Sequence, residues 1–361
     1  AGAVGADRCA YAEVDGEVFA ALSQVPGEVD LAVVAVPAPE VPTVVRECAD
    51  HGVRGVLVVS SGFAEAGAEG EALQTELLRT ARTHGMRVVG PNSFGLINTA
   101  EQTSINASLA PNMPAAGALG LFSQSGALAV AGLESVAERG LGLSTFVSAG
   151  NRADVSGNDL MQYWLDDDDT RAVGMYLESM GNPRKFNRIA RRLSKAKPVI
   201  VVKSGVSSYG VPPGHRVRPT RIPPEAFRAM LRQAGVIRVE NVHQMFDIAQ
   251  LVVHQPLPKG ERVAIVGNSD ALGALAADAC VSWRLRVTHG PINLSPEADQ
   301  HAFRDAVRAA FEDPEVDSVV TAFVPPRQSE GLEIARTLGE LAAEYDKPCP
   351  VSYTHLRAHE T

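Results

Sequence analysis

Cationic residues are in short supply: 33 lysines and arginines face 42 aspartates and glutamates, a formal charge of −9 over 361 residues. A chain without a basic excess has no field to gather a polyanion, so nucleic acid is not an expected partner. Long apolar runs are missing too. No stretch approaches the roughly 18 residues of a membrane span, and no signal-peptide pattern is visible, so we expect a cytoplasmic protein with no membrane partner. Only four cysteines occur, Cys9, Cys48, Cys280 and Cys349. They lie too far apart for a disulfide framework or a zinc knuckle, and fit buried thiols in a reducing compartment, with no metal site. Aromatic residues make up only 5%, whereas glycine occurs 32 times and 45% of residues are apolar, a balance that suits α/β units with many tight turns. The acidic total leaves an anionic ligand open, because backbone N–H groups bind phosphate without a basic surface.

What is present is a repeated alternation of short apolar runs and helical stretches. Val29 to Val36 reads as a strand ended by Pro37, Gly55 to Ser60 as the next, and Arg87 to Gly90 as a third, with helices between. That rhythm marks βαβ units around a buried parallel sheet. Residues 101–117, with Pro111, Pro114 and Gly117, read as a linker. A second unit follows with strands at 118–122, 144–148, 172–177 and 199–203. Residues 206–224 are rich in proline with little periodicity, a long loop of the kind that often carries function. After the connector at 254–260 a third unit has strands at 262–266 and 316–323. The expected architecture is α/β, three consecutive Rossmann-like or flavodoxin-like parallel-sheet domains at 1–112, 113–255 and 256–350, the first and third incomplete. Residues 351–361 lack the apolar run of a core strand and resemble a translated adaptor sequence. We therefore read them as a non-native tail, and do not read His355 and His359 as metal ligands.

Two turns carry the chemistry. Ser123-Gln124-Ser125-Gly126-Ala127 follows a strand and opens a helix, where unpaired N–H groups and a partial positive charge suit a phosphoryl group. Ser125 also fits a plain N-cap. Gly90-Pro91-Asn92-Ser93-Phe94-Gly95 ends a strand at the carboxyl edge of the first sheet, where open α/β folds bind ligands. Glu178 closes another strand and fits either a solvated surface group or a carboxylate that orients an imidazole. His215, in the long loop, is the imidazole candidate, with an ordinary exposed histidine as the alternative. The other histidines, His51, His84, His243, His254, His289 and His301, read as helix-end or surface residues.

The ordered set of motifs resembles the nucleoside-diphosphate-forming acyl-CoA synthetases, relatives of the succinyl-CoA synthetase alpha subunit. It runs through Val36-Pro37-Ala38-Pro39, Ser60-Ser61-Gly62-Phe63-Ala64-Glu65, Gly90 to Asn98, Ser123 to Gly126, Gly150-Asn151, Tyr176-Leu177-Glu178 and Arg232 to Arg238, and covers roughly residues 28–350. The resemblance implies the interconversion of acyl-CoA, phosphate and ADP with carboxylic acid, CoA and ATP, through an acyl phosphate and a phosphohistidine. It assigns His215 as the phosphorylated nucleophile and Glu178 as its orienting carboxylate. Ser123, Gln124, Ser125 and Gly126 become the phosphate cradle, and Val36, Pro37, Ser60, Ser61 and Asn92 the CoA contacts. It further implies CoA, ADP or ATP and Mg2+, the nucleotide and metal being held by an ATP-grasp domain or subunit, in cis or in trans, together with a short-chain acid substrate and an oligomeric assembly.

Three departures qualify this. The family histidine usually sits in a serine-histidine-threonine-glycine context, whereas His215 lies within Pro213-Gly214-His215-Arg216-Val217. Gly267-Asn268-Ser269-Asp270 replaces a more glycine-rich turn, where Asp270 would repel an anion. The glycine-rich turn for the CoA phosphates and the ATP-grasp domain are both missing from the sequence, so we expect an internal fragment, inactive in isolation. The rival reading is a catalytically impaired CoA-binding regulatory module, of a kind that is sometimes fused to an N-acetyltransferase domain. A nicotinamide dehydrogenase is a weaker third, since no complete dinucleotide fingerprint occurs.

Overall fold

The computed structural model describes residues 2–4, 12–14, 17–204, 223–324 and 328–353. Two compact units divide the chain, Ala1–Ala249 and Gln250–Thr361. Unit one holds two sheets and unit two a third, giving the three α/β sheets that the alternating pattern implies.

The first sheet begins with β1 (Gly2–Val4), β2 (Ala12–Val14) and β3 (Glu17–Phe19), an antiparallel edge. β4 (Leu31–Val34), helix α1 (Val41–Asp50), β5 (Gly55–Val58), α2 (Ala68–Thr83) and β6 (Arg87–Val89) follow, and β1-β4-β5-β6 run parallel. The inward faces of α1 and α2, with Val41, Val45, Cys48, Leu77 and Ala81 buried, pack with Val34, Val56 and Val58 in one core. Parallel pairing aligns the carboxyl ends of β4, β5 and β6 along one edge, which places Val36, Ser60 and Asn92 in adjacent turns.

The second sheet opens with a feature the pattern did not reveal. Residues 95–117, assigned above to the first domain and its linker, contain β7 (Gly95–Asn98) and β8 (Ile105–Ser108), an antiparallel pair on the edge of the second sheet. Their polar, glycine-bearing sequences hide them because edge strands need backbone partners more than apolar runs. The sheet continues with β9 (Ala116–Ser123), α3 (Gly126–Glu138), β10 (Leu143–Ser148), α4 (Gly157–Asp166), β11 (Ala172–Leu177), α5 (Pro183–Ala196), β12 (Val199–Lys203), α6 (Pro224–Gln233) and β13 (Ile237–Val239), in the order β13-β12-β11-β9-β10-β7-β8. Its central strands are buried on both faces, and Trp164 of α4 is fully buried with its indole N–H donating to Thr145 Oγ1 at 3.0 Å. α7 (Val242–His254) closes this part of the chain.

The third sheet is built from β14 (Arg262–Gly267), α8 (Asp270–Ser282), β15 (Arg286–Asn293), α9 (Gln300–Glu312), β16 (Ser318–Phe323), α10 (Gln328–Glu344) and β17 (Val351–Tyr353), all strands parallel in the order β15-β14-β16-β17. Residues 351–353 lack the apolar run expected of a core strand and nonetheless form an edge strand, paired with Thr321 to Phe323, because a three-residue edge needs ladder bonds rather than an apolar run. His289 lies within β15 instead of at a helix end, and its Nδ1 is 3.2 Å from Asp313. Asp270 accepts a hydrogen bond from Asn293 at 2.6 Å, so its carboxylate is tied to the neighbouring strand end. No described helix is long and apolar enough to cross a membrane, and Cys48, Cys280 and Cys349 are buried free thiols.

Candidate functional site

At the carboxyl ends of β4, β5 and β6 three of the expected CoA contacts are chained together. Ser60 donates its hydroxyl to Val36 O at 2.5 Å, and Asn92 donates its backbone N–H to Ser60 O at 2.8 Å. Val36 is buried, Ser60 and Asn92 are half-buried, and Pro37 and Ser61 are exposed at the rim. Asn92 has φ 57° and directly follows Gly90 (φ 100°) and Pro91, so the turn doubles back tightly at the sheet edge. A Cβ on Gly90 would lie 2.4 Å from Val58 O, and only glycine permits that approach.

The turn is clamped against the end of β10. Asn151 N–H donates to Pro91 O at 2.9 Å and Ala153 N–H to Gly90 O at 3.1 Å. Ser93 donates its hydroxyl to Ser148 O at 2.5 Å and accepts from Gly95 N–H at 2.9 Å. A Cβ on Gly150 would fall 2.2 Å from Pro91 O and 2.3 Å from Asn92 O, so the two loops touch through bare backbone. Asp154 adds an ion pair with Arg87 at 2.7 Å. Glu65 closes the same corner: it accepts from Gly62 N–H at 2.7 Å, from Phe63 N–H at 3.1 Å, and from the side chain of Asn151. Burial pushes this carboxyl up, but the donated hydrogen bonds outweigh it and hold its pKa below the ordinary 4.5.

The second turn divides its four residues by role. Ser123 is buried and its hydroxyl is engaged locally, donating to Ser125 O at 2.8 Å and accepting from Ser125 N–H at 3.1 Å. Ser125 is the N-cap of α3, accepting from Leu128 N–H at 3.3 Å. Gln124 is 9% exposed and points across to the end of β11. Its Oε1 accepts from Glu178 N–H at 2.6 Å and from Ser179 N–H at 2.8 Å, while its Nε2 donates to Ser179 O at 2.8 Å. Among the described residues the N–H groups of Gly126 and Ala127, in the first turn of α3, have no hydrogen-bond acceptor. Those two donors, with the positive end of the helix behind them, are the groups of this turn chemically suited to an anion.

Glu178 therefore sits where β11 ends, its backbone fixed by Gln124. Lys203, at the end of β12, donates Nζ to Glu178 O at 2.8 Å and to Ser204 O. Burial lowers the Lys203 pKa, and the nearby Glu178 charge partly offsets this. Burial likewise raises Tyr176, relieved by a hydrogen bond with Ser204. Arg152, in a left-handed conformation (φ 54°), donates to Ser179 O at 2.6 Å and Ser179 Oγ at 2.8 Å.

A cleft of about 610 Å³ joins the two halves, lined by Asn92 from the first turn, by Gln124 and Glu178 from the second, and by Glu65, Asn151 and Arg152. The structure thus brings Asn92, Gln124 and Glu178 into one cavity, while Val36, Ser60 and Ser123 support it from behind. His215 lies outside the described residues. Arg152 was not singled out from sequence, although the run Gly150-Asn151-Arg152 after a wholly buried strand is a usable signal. Among the described residues no cluster of three metal-ligating side chains occurs.

The chain matches two family descriptions in succession, a CoA binding domain over residues 7–99 and a succinyl-CoA ligase-like flavodoxin domain over residues 116–252. It is 34% identical over 344 residues to the alpha subunit of acetate–CoA ligase (ADP-forming) I from Pyrococcus furiosus, covering 88% of this chain and 74% of that subunit. It is 34% identical to acetate–CoA ligase (ADP-forming) I of Archaeoglobus fulgidus, covering 91% of this chain and 50% of the relative. A solved acetyl-coenzyme A synthetase 1 from Candidatus Korarchaeum cryptofilum, in complex with phosphate and ADP, superposes with a TM-score of 0.87 at 27% identity, over 96% of this chain and 80% of that one. With these two successive matches, with this identity over most of the Pyrococcus subunit and with strand-end turns that carry the expected motifs, the chain belongs to the ADP-forming acetate–CoA ligase family, matching its alpha-type CoA-binding and flavodoxin-like ligase region.

Proposed function

We propose that this chain is the CoA-binding and phosphoryl-carrying part of an acyl-CoA ligase. The observation that carries this is the meeting of Asn92, Gln124 and Glu178 in one cleft, with the N–H groups of Gly126 and Ala127, which have no acceptor among the described residues, following Gln124 in the same turn. CoA fits the first half. Close backbone packing at Gly90 and Gly150 leaves Pro37, Ser61 and Asn92 as the accessible parts of the strand ends. These residues would hold the thiol ester against the cleft.

In the reaction we propose, phosphate attacks the thioester carbonyl carbon and the carbon–sulfur bond breaks, giving CoA thiolate and an acyl phosphate. A nitrogen of His215 then attacks phosphorus, the carboxylate leaves, and the phosphohistidine is carried to ADP. Neutral imidazole is nucleophilic near pH 7. Glu178 would orient the ring and stabilise it as it becomes charged. The N–H groups of Gly126 and Ala127, with the Ser125 hydroxyl, would bind the phosphoryl oxygens, donors fixed before the reaction begins. Gln124 works through backbone, by fixing where Glu178 begins. ADP and Mg2+ would be held by an ATP-grasp domain or subunit, in cis or in trans, within an oligomer. The flanks of His215, Gly214 and Arg216 in place of small hydroxyl residues, favour the second reading, a CoA-binding regulatory module that does not turn over.

Acetyl phosphate labelled with radioactive phosphorus separates the two without any nucleotide domain. Acid-labile, base-stable label that disappears in His215→Ala supports the ligase reading. Label that persists in His215→Ala overturns the His215 assignment, and CoA binding with no label at all favours the regulatory module.

A further inference from the structure

The chain is acidic as a whole, yet α5 is basic. It carries Arg184, Lys185, Arg188, Arg191, Arg192 and Lys195, all exposed, and no aspartate or glutamate. Phe186, Ile189, Ala190 and Leu193 face the core, so from Arg184 the cations recur at i+4, i+7, i+8 and i+11 along the outer side, a ridge about 17 Å long. Solvated helix faces alternate in sign, because like charges three or four residues apart repel. Here Arg184 and Arg188, Arg188 and Arg192, and Arg191 and Lys195 are all like pairs. Lys185 reaches Asp159 at 3.6 Å, and among the described residues the other five cations have no ion-pair partner. A ridge of one sign, kept against its own repulsion, calls for opposite charge from outside the protomer.

The matching charge lies on the neighbouring helix. α4 packs beside α5, and their inner faces share one core through Leu160, Met161, Trp164, Phe186, Ile189 and Leu193. Lys197 donates Nζ to Trp164 O and to Asp167 O, which ties the carboxyl ends of the two helices together. Asp166, Asp168 and Asp169 stand exposed at that end, and among the described residues none of them has an ion-pair partner. Because both helices bury their inner faces against the same sheet, their outer faces look out on one side. That side is acidic at the end of α4 and basic along α5, with Tyr163 of α4 46% exposed.

We propose that this face docks a second copy of the chain about a two-fold axis, the α5 ridge of each protomer meeting Asp166, Asp168 and Asp169 of the other. The inference goes beyond the ligase reading and does not rest on it. An isologous contact needs a surface that is its own complement. Adjacent patches of opposite sign, unpaired within the chain, supply one. Four of the six ridge cations are arginines, whose planar forks pair with carboxylates two bonds at a time. A polyanion fits less well: the field of the ridge reaches only about 8–10 Å at physiological salt, and beyond that a nucleic acid or an anionic membrane meets a chain of charge −9. The face is about 20 Å long and two helices wide, roughly 400 Å² against the ~800 Å² that each partner gives to a standard interface. The dimer is therefore weak and held mainly by charge.

Sedimentation velocity of the whole chain, from micromolar to millimolar concentration, tests this at about 50 mM and about 500 mM salt. The wild type is expected to dimerise at low salt, with a Kd about tenfold or more weaker at high salt. Two charge-reversed chains complete the experiment: Arg184→Glu, Arg188→Glu, Arg191→Glu and Arg192→Glu together, and Asp166→Lys, Asp168→Lys and Asp169→Lys together. Each alone is expected to stay monomeric, and an equimolar mixture to dimerise, because both contacts are then complementary. All seven positions are exposed and lie outside the cleft lining, so melting temperature and CoA affinity should follow the parent. The wild-type salt series needs no variant. A monomer at every concentration in low salt, association that salt leaves unchanged, or reversed chains that associate alone and gain nothing on mixing would each overturn the proposal. A wild-type monomer that binds duplex DNA or phosphatidylserine vesicles, with binding lost in the arginine variant, would overturn it too and give the ridge to a polyanion.

Discussion

Gln124 and Ser179 are joined by a reciprocal pair of hydrogen bonds, in which the Ser179 N–H donates to Gln124 Oε1 at 2.8 Å and Gln124 Nε2 donates to Ser179 O at 2.8 Å. A side-chain amide here does what a neighbouring strand does elsewhere in a sheet. Because the same Oε1 also accepts from Glu178 N–H, one residue of the turn before α3 fixes the exit of β11. Gln124→Ala takes the side-chain acceptor from two backbone N–H groups, while Ser179 O keeps its bond from Arg152. We expect a loss of about 2 kcal/mol in urea unfolding, together with loss of labelling by acetyl phosphate. Stability unchanged within error would show that the strand end does not depend on this side chain.

Glu178 allows a cleaner separation of fold from chemistry. Its backbone is held by Gln124 and Lys203, so changing its side chain leaves those bonds in place. Glu178→Gln should melt as the parent does, while the rate of phosphoryl transfer falls about a hundredfold or more, the usual scale for losing a positioned proton-handling or orienting group. A variant that labels at the parental rate would remove Glu178 from the mechanism.

Gly150 tests whether contact between the two turns matters for binding. A methyl group there meets Pro91 O at 2.2 Å and Asn92 O at 2.3 Å, neither of which belongs to a flexible side chain, and the backbone is already at φ 51°. Gly150→Ala should cost about 3 kcal/mol from overpacking and left-handed strain, and CoA affinity should fall because Asn92 is displaced. Gly140→Ala is the control: φ is 62° there, but no atom lies within 4 Å of the added carbon. Equal losses at the two glycines would mean that strain alone, and not the loop contact, accounts for the effect.

These three positions also show how far residues alone reveal this protein. The buried central strands, such as Val199 to Val202, announce themselves because a parallel sheet covered on both faces needs continuous apolar runs. Glycine and proline mark the turn at 90–92 because its backbone angles demand them. The edge strands β8, β15 and β17 escape notice for the converse reason: with one flank open, they carry Asn106, His289 and Ser352 without penalty. In the site, Ser123 and Gln124 are visible as polar residues at a strand end, but spacing does not distinguish a hydroxyl engaged within its own turn from one free to bind. Arg152 is less visible still, because its place depends on a left-handed turn that leaves no period in the sequence.

Glu65 gives the site a pH dependence whose sign follows from its partners. Its carboxylate accepts from Gly62 N–H, Phe63 N–H and Asn151, and although burial opposes ionisation, the net effect holds its pKa below the ordinary 4.5. A carboxyl whose folded pKa is depressed contributes stability that is complete above its unfolded value and is lost as pH falls through the folded one. We therefore expect the melting temperature of the wild type, relative to Glu65→Gln, to be constant above about pH 4.5 and to decline below it. Glutamine keeps an oxygen for the two loop N–H bonds, loses the acceptor for Asn151 and carries no proton to titrate, so the constant part of the difference contains the lost Asn151 bond and the pH-dependent part isolates the charge. The Glu65 carboxyl resonance should titrate with a midpoint below 4.5, and the Gly62 amide shift should follow it, since both report the same hydrogen bond. A midpoint above 4.5 would mean that burial, not the three donors, governs this corner of the cleft.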